Sequence, residues 1–383
     1  MKISDIADII NVTEKDPSNS GIDVFVGLEH YDIAEPVIKR FGSTKMLTTA
    51  TKKFEAGDVL IARRNVYLQR ASVARFSGLT SGDSIILRVK KNLCSEKTNY
   101  DSMCQLLPFI LNSINFWDYA NTNADGTMSK RLSPAMLQEY EFDLPSIDEQ
   151  KVLAEKLWAA YEVKQSYLKM IEATEEMVKS QFVEMFGDIS LNSKGWPMDS
   201  LDSLAEIKIG PFGSLIHQHD YKENGHCLIN PSQIINDKIV PDSSVAVSDE
   251  KYLELQAYKI SKGDIVLGRR GEMGRAGIVK SEGMLCGTGS LIIRPKDIND
   301  SFFLHLFVTS QQSKQWLESN SVGTTMMNLN TQIISKMEIP ILPTEMKLHF
   351  VAIAQQADKS IFELRKSIDA IDKVIKSLIN ENL

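Results

Sequence analysis

Several clusters in the chain hold side chains that could do chemistry, each suited to a different reaction. Gly271, Gly274 and Gly277 are spaced like a phosphate cradle, where glycines let backbone N–H groups approach an anion. Ile278, Val279, Lys280 and then more glycine follow them instead of a helix, so a hairpin or loop is expected. Asn230-Pro231-Ser232-Gln233 approaches the Asn-Pro-Pro-aromatic run of adenine methyltransferases. It lacks the second proline and the stacking aromatic, and no cofactor loop stands upstream. Asp242, Asp249, Glu250 and Lys251 offer the acids and the lysine that a metal-dependent nuclease gathers round a cation. They lie in a turn-rich stretch with no counterpart in the first half of the chain, so a turn and a helix start are expected. His217 and His219 have metal-like spacing, but no second ligand cluster accompanies them among six His, and exposed loop histidines are expected. Cys94, Cys104, Cys227 and Cys286 have no CxxC spacing and read as reduced thiols. Neither a Walker lysine loop nor a serine elbow occurs. The chain is expected to have no catalytic site, no metal site and no cofactor of its own.

Charge is the next signal. The 383 residues carry a net charge of −7, with 43% hydrophobic and 24% charged residues, which are globular values. The sign is unevenly spread. Residues 139–188 hold 12 acids against 5 Lys, whereas residues 39–75 hold 9 Lys or Arg against Glu55 and Asp58. Residues 259–280 hold 6 Lys or Arg against Asp264 and Glu272. Two basic regions flanking an acidic middle suit two DNA-facing modules joined by a protein-facing segment, although ordinary solvated surface charge fits as well. No window reaches the roughly 18 apolar residues of a membrane span. Met1-Lys2-Ile3-Ser4-Asp5 places an acid where a secretory leader needs an apolar stretch, so a cytoplasmic location is expected.

The elements that would position these residues are organised by an internal repeat. Residues 54–64 (Phe-Glu-Ala-Gly-Asp-Val-Leu-Ile-Ala-Arg-Arg) recur at 260–270 (Ile-Ser-Lys-Gly-Asp-Ile-Val-Leu-Gly-Arg-Arg), an offset of 206 from Gly57 to Gly263. Ser84 to Lys90 recurs from Ser290 to Lys296 at the same offset. Gly126-Thr127 returns as Gly323-Thr324, and Leu144-Pro145 as Leu342-Pro343, at offsets of 197 and 198, so the second copy lacks about nine residues. Each copy then passes into a long helix. Leu157, Tyr161, Lys164, Leu168, Ile171, Glu175, Val178, Phe182 and Met185 alternate at spacings of four and three, a heptad seam with two polar interruptions. Phe350, Ala354, Ala357, Ile361, Leu364, Ile368, Ile371, Ile375 and Leu378 repeat the pattern from a start near Thr344. Such one-faced helices are expected to pair, antiparallel, though each could pack on its own module. Short strands are expected at 59–62, 85–87, 265–267 and 291–293, and helices over 100–118 and 300–319.

In this order, the residues resemble the specificity subunits of type I restriction-modification systems over essentially the whole chain. Asp23 to His30 is similar to the early strand of that family's target-recognition domains. Trp196-Pro197 and the loop Gly210-Pro211-Phe212-Gly213-Ser214 resemble the opening of the second domain; the first has no match to that loop. Gln181 to Asp188 resembles the end of the central helix, and Ile339 to Pro343 the approach to the final one. The resemblance implies an α/β chain of mixed α+β modules: two pseudo-repeated target-recognition domains, 1–145 and 188–343, and two long antiparallel coiled-coil helices, 146–187 and 344–383. It implies a non-catalytic targeting subunit whose modules each read half of a bipartite target in double-stranded DNA. The helices would set the gap and dock two adenine-N6 methylation subunits, restriction subunits would join, and no membrane is involved. S-adenosylmethionine, ATP and Mg would reside on those partners. A specificity subunit of a methylate-and-cleave (type IIB-like) system, or a helical protein-binding scaffold, are the competing readings.

On that reading, phosphate or groove contacts are expected from Lys45, Lys52, Arg63, Arg64, Lys130 and Arg131 in the first module. Ser214, Arg269, Arg270, Arg275, Thr324, Asn328 and Asn330 are expected in the second. Arg and Asn suit guanine and adenine edges. Each Arg could instead be held in a salt bridge by neighbouring Asp58 or Asp264, and the Gly-Thr pairs are equally compatible with turns.

Overall fold

The computed structural model describes residues 1–95, 97–126, 129–270, 273–321 and 329–383. It divides into two compact units, Met1–Ile171 with Phe362–Leu383, and Glu172–Ile361.

In the first unit, the apolar run Val59–Ala62 and the strand Ser84–Val89 lie at the centre of an antiparallel sheet, flanked by Ala71–Val73 and Ala7–Ile10. Because side chains alternate across a strand, each run serves two cores. Val59, Ile61, Ile85 and Leu87 face the helices Tyr100–Ile110 and Ile114–Asn123, whereas Leu60, Ala62 and Ile86 join Val26 and Phe54 on the other side. Burial on both faces is why these strands read as unbroken Val, Leu and Ile. The second sheet pairs Val24–Val26 in parallel with Gly78–Thr80, whose other neighbour is Thr51–Phe54.

The second unit repeats this plan. Ile265–Gly268 and Ser290–Pro295 lie between Ala276–Ile278 and Ala205–Ile209. Ile265, Leu267, Leu291 and Ile293 share a core with the helices, and Val266 and Ile292 share the opposite one. A parallel pairing of Leu228 with Leu285 matches that of Phe25 with Leu79.

Two expected helices are each broken. Tyr100–Ile110 stops before Ile114–Asn123, and Ser301–Thr309 before Gln311–Asn320. A serine does it both times: Ser113 Oγ accepts from Phe116 N at 3.1 Å, and Ser310 Oγ from Ser313 N at 3.2 Å. These caps satisfy N–H groups that would otherwise lack partners at a new helix start. Their offset is 197, so the nine-residue shortening of the second copy lies between residues 296 and 310.

The long helices are Ile147–Phe186 and Thr344–Asn382, of 40 and 39 residues. The first leaves the first unit for the second, and the last makes the reverse passage, so they run antiparallel. Lys164, the polar break in the first seam, pairs with Asp372 at 2.6 Å, while Glu175 pairs with Lys238 at 2.7 Å. Among the described residues no helix is long and apolar enough to cross a membrane.

Candidate nucleic-acid interface

The basic clusters sit on one hairpin that occurs twice. Residues 63–70 join Val59–Ala62 to Ala71–Val73, and residues 269–275 join Ile265–Gly268 to Ala276–Ile278. Both connections begin Arg-Arg and end in Arg. The glycine spacing at 271–277 therefore belongs to a hairpin, as its sequence context suggested; residues 271 and 272 lie outside the described set.

The frame of the two hairpins matches bond for bond. Arg63 N donates to Asp83 O and Arg269 N to Gly289 O, both at 3.0 Å. Arg63 O accepts from Leu132 N at 2.9 Å, and Arg269 O from Leu329 N at 3.1 Å. At the far end, Arg70 Nη1 donates to Leu28 O at 2.9 Å and Arg275 Nη1 to Pro231 O at 3.2 Å. Arg70 was not among the expected contact residues. Its offset of 205 from Arg275 is the signal that marks it.

The acids of the repeat do not hold the neighbouring arginines. Asp58 takes Arg88 through two bonds of 2.7 and 2.8 Å, and Asp264 takes Arg294 through Nε at 2.9 Å and Nη2 at 2.6 Å. Each carboxylate also accepts a backbone N–H at 2.8 Å, from Glu55 or Ser261. The partner lies on the adjacent central strand, 30 residues away, which places it beside the acid while the Arg-Arg pair is carried past the strand end. The hydrogen bond to Asp58 holds the Arg88 guanidinium well above the usual arginine range, against the effect of burial. Asp264 raises Arg294 in the same way.

In the first unit, Lys52, Arg63, Arg64 and Arg131 gather at the turn 81–84. Arg64 Nε lies 2.8 Å from Asp83 Oδ2, Arg131 Nη2 lies 3.9 Å from Oδ1, and Lys52 Nζ donates to Ser84 O at 3.1 Å. Burial lowers the pKa of Lys52, and the nearby Arg63 charge lowers it further. Lys130 Nζ donates to Asn121 O at 2.7 Å. Lys45 stands exposed on the turn after Gly42–Ser43, away from this cluster's bonds.

In the second unit, Arg269 is only 4% exposed and donates to Thr288 O at 3.2 Å; burial lowers its pKa. Arg270 is exposed beside it, and Ser214 is exposed on the short turn Gly213–Leu215. Asn330 caps Thr331–Ser335, accepting from Ile333 N at 2.9 Å, as Ser133 caps Pro134–Gln138 at the matching position. Thr324 and Asn328 lie outside the described residues, as do Gly323 and Thr127. Lys314, absent from the sequence expectation, crosses the hairpin tip: a Cβ on Gly274 would stand 2.3 Å from its Cγ. With Arg275, Asn236 and Asp237 it lines a cavity of about 300 Å³.

The residues that suggested catalysis lie elsewhere. Asp242 accepts from Ser244 within a turn, and Asp249 opens Asp249–Glu254 beneath the Ser248 cap, 3.0 Å from His226 Nε2. The His217 and His219 rings stack on each other at 5.5 Å. Among the described residues, no three His, Cys, Asp or Glu come together as metal ligands.

Residues 193–380 match the family model for the type I restriction modification DNA specificity domain. The chain is 22% identical over 313 residues to the type I restriction enzyme EcoBI specificity subunit of Escherichia coli, over 74% of this chain and 65% of that protein. It therefore spans about two thirds, 65%, of the length of that curated relative. Two solved structures share the fold. The type I restriction-modification S subunit from M. genitalium has a TM-score of 0.54 at 13% identity, over 99% of this chain and 94% of that one. A chain from a study of assembly and conformational transition of the type I R-M system has a TM-score of 0.53 at 14% identity, over 99% and 95%. Residues 193–380 are thereby likened to that specificity domain, and the chain as a whole shares the fold of these two structures.

Proposed function

We propose that this chain is the DNA sequence-recognition subunit of a type I restriction-modification complex and carries no catalysis of its own. Residues 1–145 and 188–343 act as target-recognition domains, each reading one half of a bipartite duplex target. Residues 146–187 and 344–383 are the helices offered to partners: two methylation subunits, which modify adenine at N6, and restriction subunits. S-adenosylmethionine, ATP and Mg belong to those partners. The complex works in the cytoplasm.

The observation that carries this reading is the doubled Arg-Arg hairpin, held by the same backbone bonds in both units. Lys and Arg supply sequence-independent phosphate affinity, and a few further side chains read base edges. Lys45, Arg64, Arg131, Arg270 and Ser214 are the exposed or half-buried groups we assign to the DNA. Lys52, Lys130, Arg269, Arg275 and Asn330 already donate to or cap the protein, or are buried, and contribute by shaping the surface and its potential, while half-buried Arg63, held by its backbone, keeps its side chain for the DNA. Thr324 and Asn328 retain their proposed contact role from the sequence pattern.

A map of N6-methyladenine in the host genome, with the gene intact and deleted, tests the proposal. Loss of one split, asymmetric motif on deletion is the expected result. An unchanged map from a system whose methylation subunit is expressed and co-purifies with this chain would overturn it. A scaffold without DNA contacts would also lack the steep fall in DNA affinity with salt that phosphate contacts impose.

A further inference from the structure

Among the described residues, the tip of the first unit's hairpin is unlike any other turn in that unit. Asn65 (φ 54°) and Gln69 (φ 49°) both adopt the left-handed conformation, and between them runs the single 3-10 turn Val66–Leu68. Non-glycine residues avoid that region because Cβ crowds the backbone, and they persist there only where surrounding bonds dictate the geometry. Here the bonds are present. Asn65 N donates to Lys130 O at 2.9 Å, and Ala34 N to Gln69 O at 2.9 Å. Ser129 Oγ donates to Asn65 Oδ1 at 3.0 Å, and Arg70 bridges Leu28 O and Arg64 O. Val66 is sunk in the core, whereas Tyr67 next to it is 60% exposed.

Two side chains at this tip do nothing for the fold. The Gln69 amide and the Tyr67 hydroxyl make no hydrogen bond to the described residues, and Tyr67 stands near the Arg70 guanidinium. At the base of the hairpin Arg64 and Arg131 are paired across an isolated backbone bridge, two cations that share the single carboxylate of Asp83. A rigid tip with an amide, an exposed ring and cations at its base matches what base-edge reading requires. The amide supplies a donor and an acceptor to an adenine edge, the ring contacts a thymine methyl, and the cations take the phosphates.

We propose that residues 65–69 are the base-reading element of the first unit, with Gln69 and Tyr67 determining specificity at an A·T pair of its half-site. This rests on the DNA-recognition reading above. The strain at Asn65 and Gln69 is the cost of presenting both side chains in one fixed geometry, so that little ordering remains to be done on binding.

The test uses the complete complex in its host, comparing methylation maps for wild type, Gln69→Ala, Tyr67→Ala and Asn65→Gly. Glycine takes the left-handed conformation without strain, so Asn65→Gly removes an amide while leaving the loop able to form. The expected result is that Gln69→Ala or Tyr67→Ala relaxes one or two positions in a single half of the motif, by roughly 5- to 150-fold per position. The other half should be unchanged. An identical motif in both variants would overturn the inference while leaving the targeting function intact. Uniform loss across both halves, with increased protease sensitivity, would assign the loop to folding and overturn it as well. Absence of any split motif in wild type would instead defeat the targeting function itself, and this inference with it.

Discussion

Removing one carboxylate from the doubled Asp–Arg pair should cost the unit that holds it a large part of its stability. In the second unit, the Asp264 side chain is 4% exposed and Arg294 32% exposed. Asp264→Ala deletes three bonds to the guanidinium and one to Ser261 N. A hydrogen bond to a charged group contributes roughly 1.5–3 kcal/mol, and breaking a buried ion pair costs roughly 3–5 kcal/mol. Arg294 is a third exposed and keeps its bond to Lys259 O at 2.9 Å, so part of its charge can be resolvated. The lower end of that range, about 3 kcal/mol, is therefore expected.

The reverse truncation should be worse. Arg294→Met leaves the carboxylate, which is almost fully buried, facing only a backbone N–H. Urea unfolding followed by tryptophan emission can assign the effect to a unit, because Trp196 and Trp316 lie in the second and Trp117 and Trp158 in the first. At a slope of about 2 kcal/mol per molar urea, Asp264→Ala should move the second unit's midpoint down by about 1.5 M. Asp58→Ala should do the same to the first unit, less so because Arg88 also pairs with Glu55 at 3.0 Å. A shift below about 0.5 M for both variants, or an order of cost in which Arg294→Met is the milder, would refute the reasoning.

Three further outcomes follow from the same geometry. Gly57 and Gly263 share a left-handed backbone (φ 96° and 94°), but a Cβ on Gly263 would meet Ile298 Cγ1 at 2.7 Å and one on Gly57 nothing. Gly263→Ala should thus cost more than the roughly 1–2 kcal/mol of conformational strain expected for Gly57→Ala, and equal losses in urea unfolding would contradict this. His305 is half-buried with Nε2 3.1 Å from Ala276 O, and loss of solvation is the main cause holding its pKa below 6.5. A lowered pKa in the folded state means the neutral ring's stability is present above pH 6.5 and lost as the pH falls through the folded value. The second unit's urea midpoint should accordingly drop from pH 7 to 5, and less so in His305→Gln; a flat profile in the native chain would rule the effect out. Arg64→Ala should reduce the slope of log K against log salt for DNA binding by about one, and an unchanged slope would remove Arg64 from the phosphate contacts.

What the sequence made legible depended on how locally each feature is specified. The central strands are buried on both faces, so their apolar runs stand out, and the constant offset of 206 exposes the repeat in the residues alone. The long helices were legible because a sustained heptad carries its own period. Their polar breaks did not signal disorder: Lys164 and Glu175 find Asp372 and Lys238. The helix breaks at Ser113 and Ser310 were hidden because apolar residues continue through them, and one capping hydroxyl is a weak signal against that background. The partners of Asp58 and Asp264 were missed because proximity in sequence favoured the adjacent Arg-Arg pair, whereas strand pairing brings in Arg88 and Arg294. Burial of Arg269 depends on Thr288 and Gly289 folding over it, which no local pattern announces.

Comparing the two copies separates holding from reading. Positions that keep both residue type and bonding are the Asp–Arg pairs, the left-handed glycines, the first Arg of each hairpin and the Arg that closes it. Each is tied to the surrounding strands and turns by its backbone or its side chain, so together they reproduce a frame. The tips between them do not match: Asn65 stands opposite Gly271, and exposed Tyr67 opposite buried Met273, with the second tip one residue shorter. On the proposed function, a frame that is duplicated while its tips diverge would present two similar surfaces to DNA with different chemistry at each contact. An asymmetric motif, with unlike halves, is what such a chain should read; a palindromic one would require the tips to be equivalent, and their residues are not.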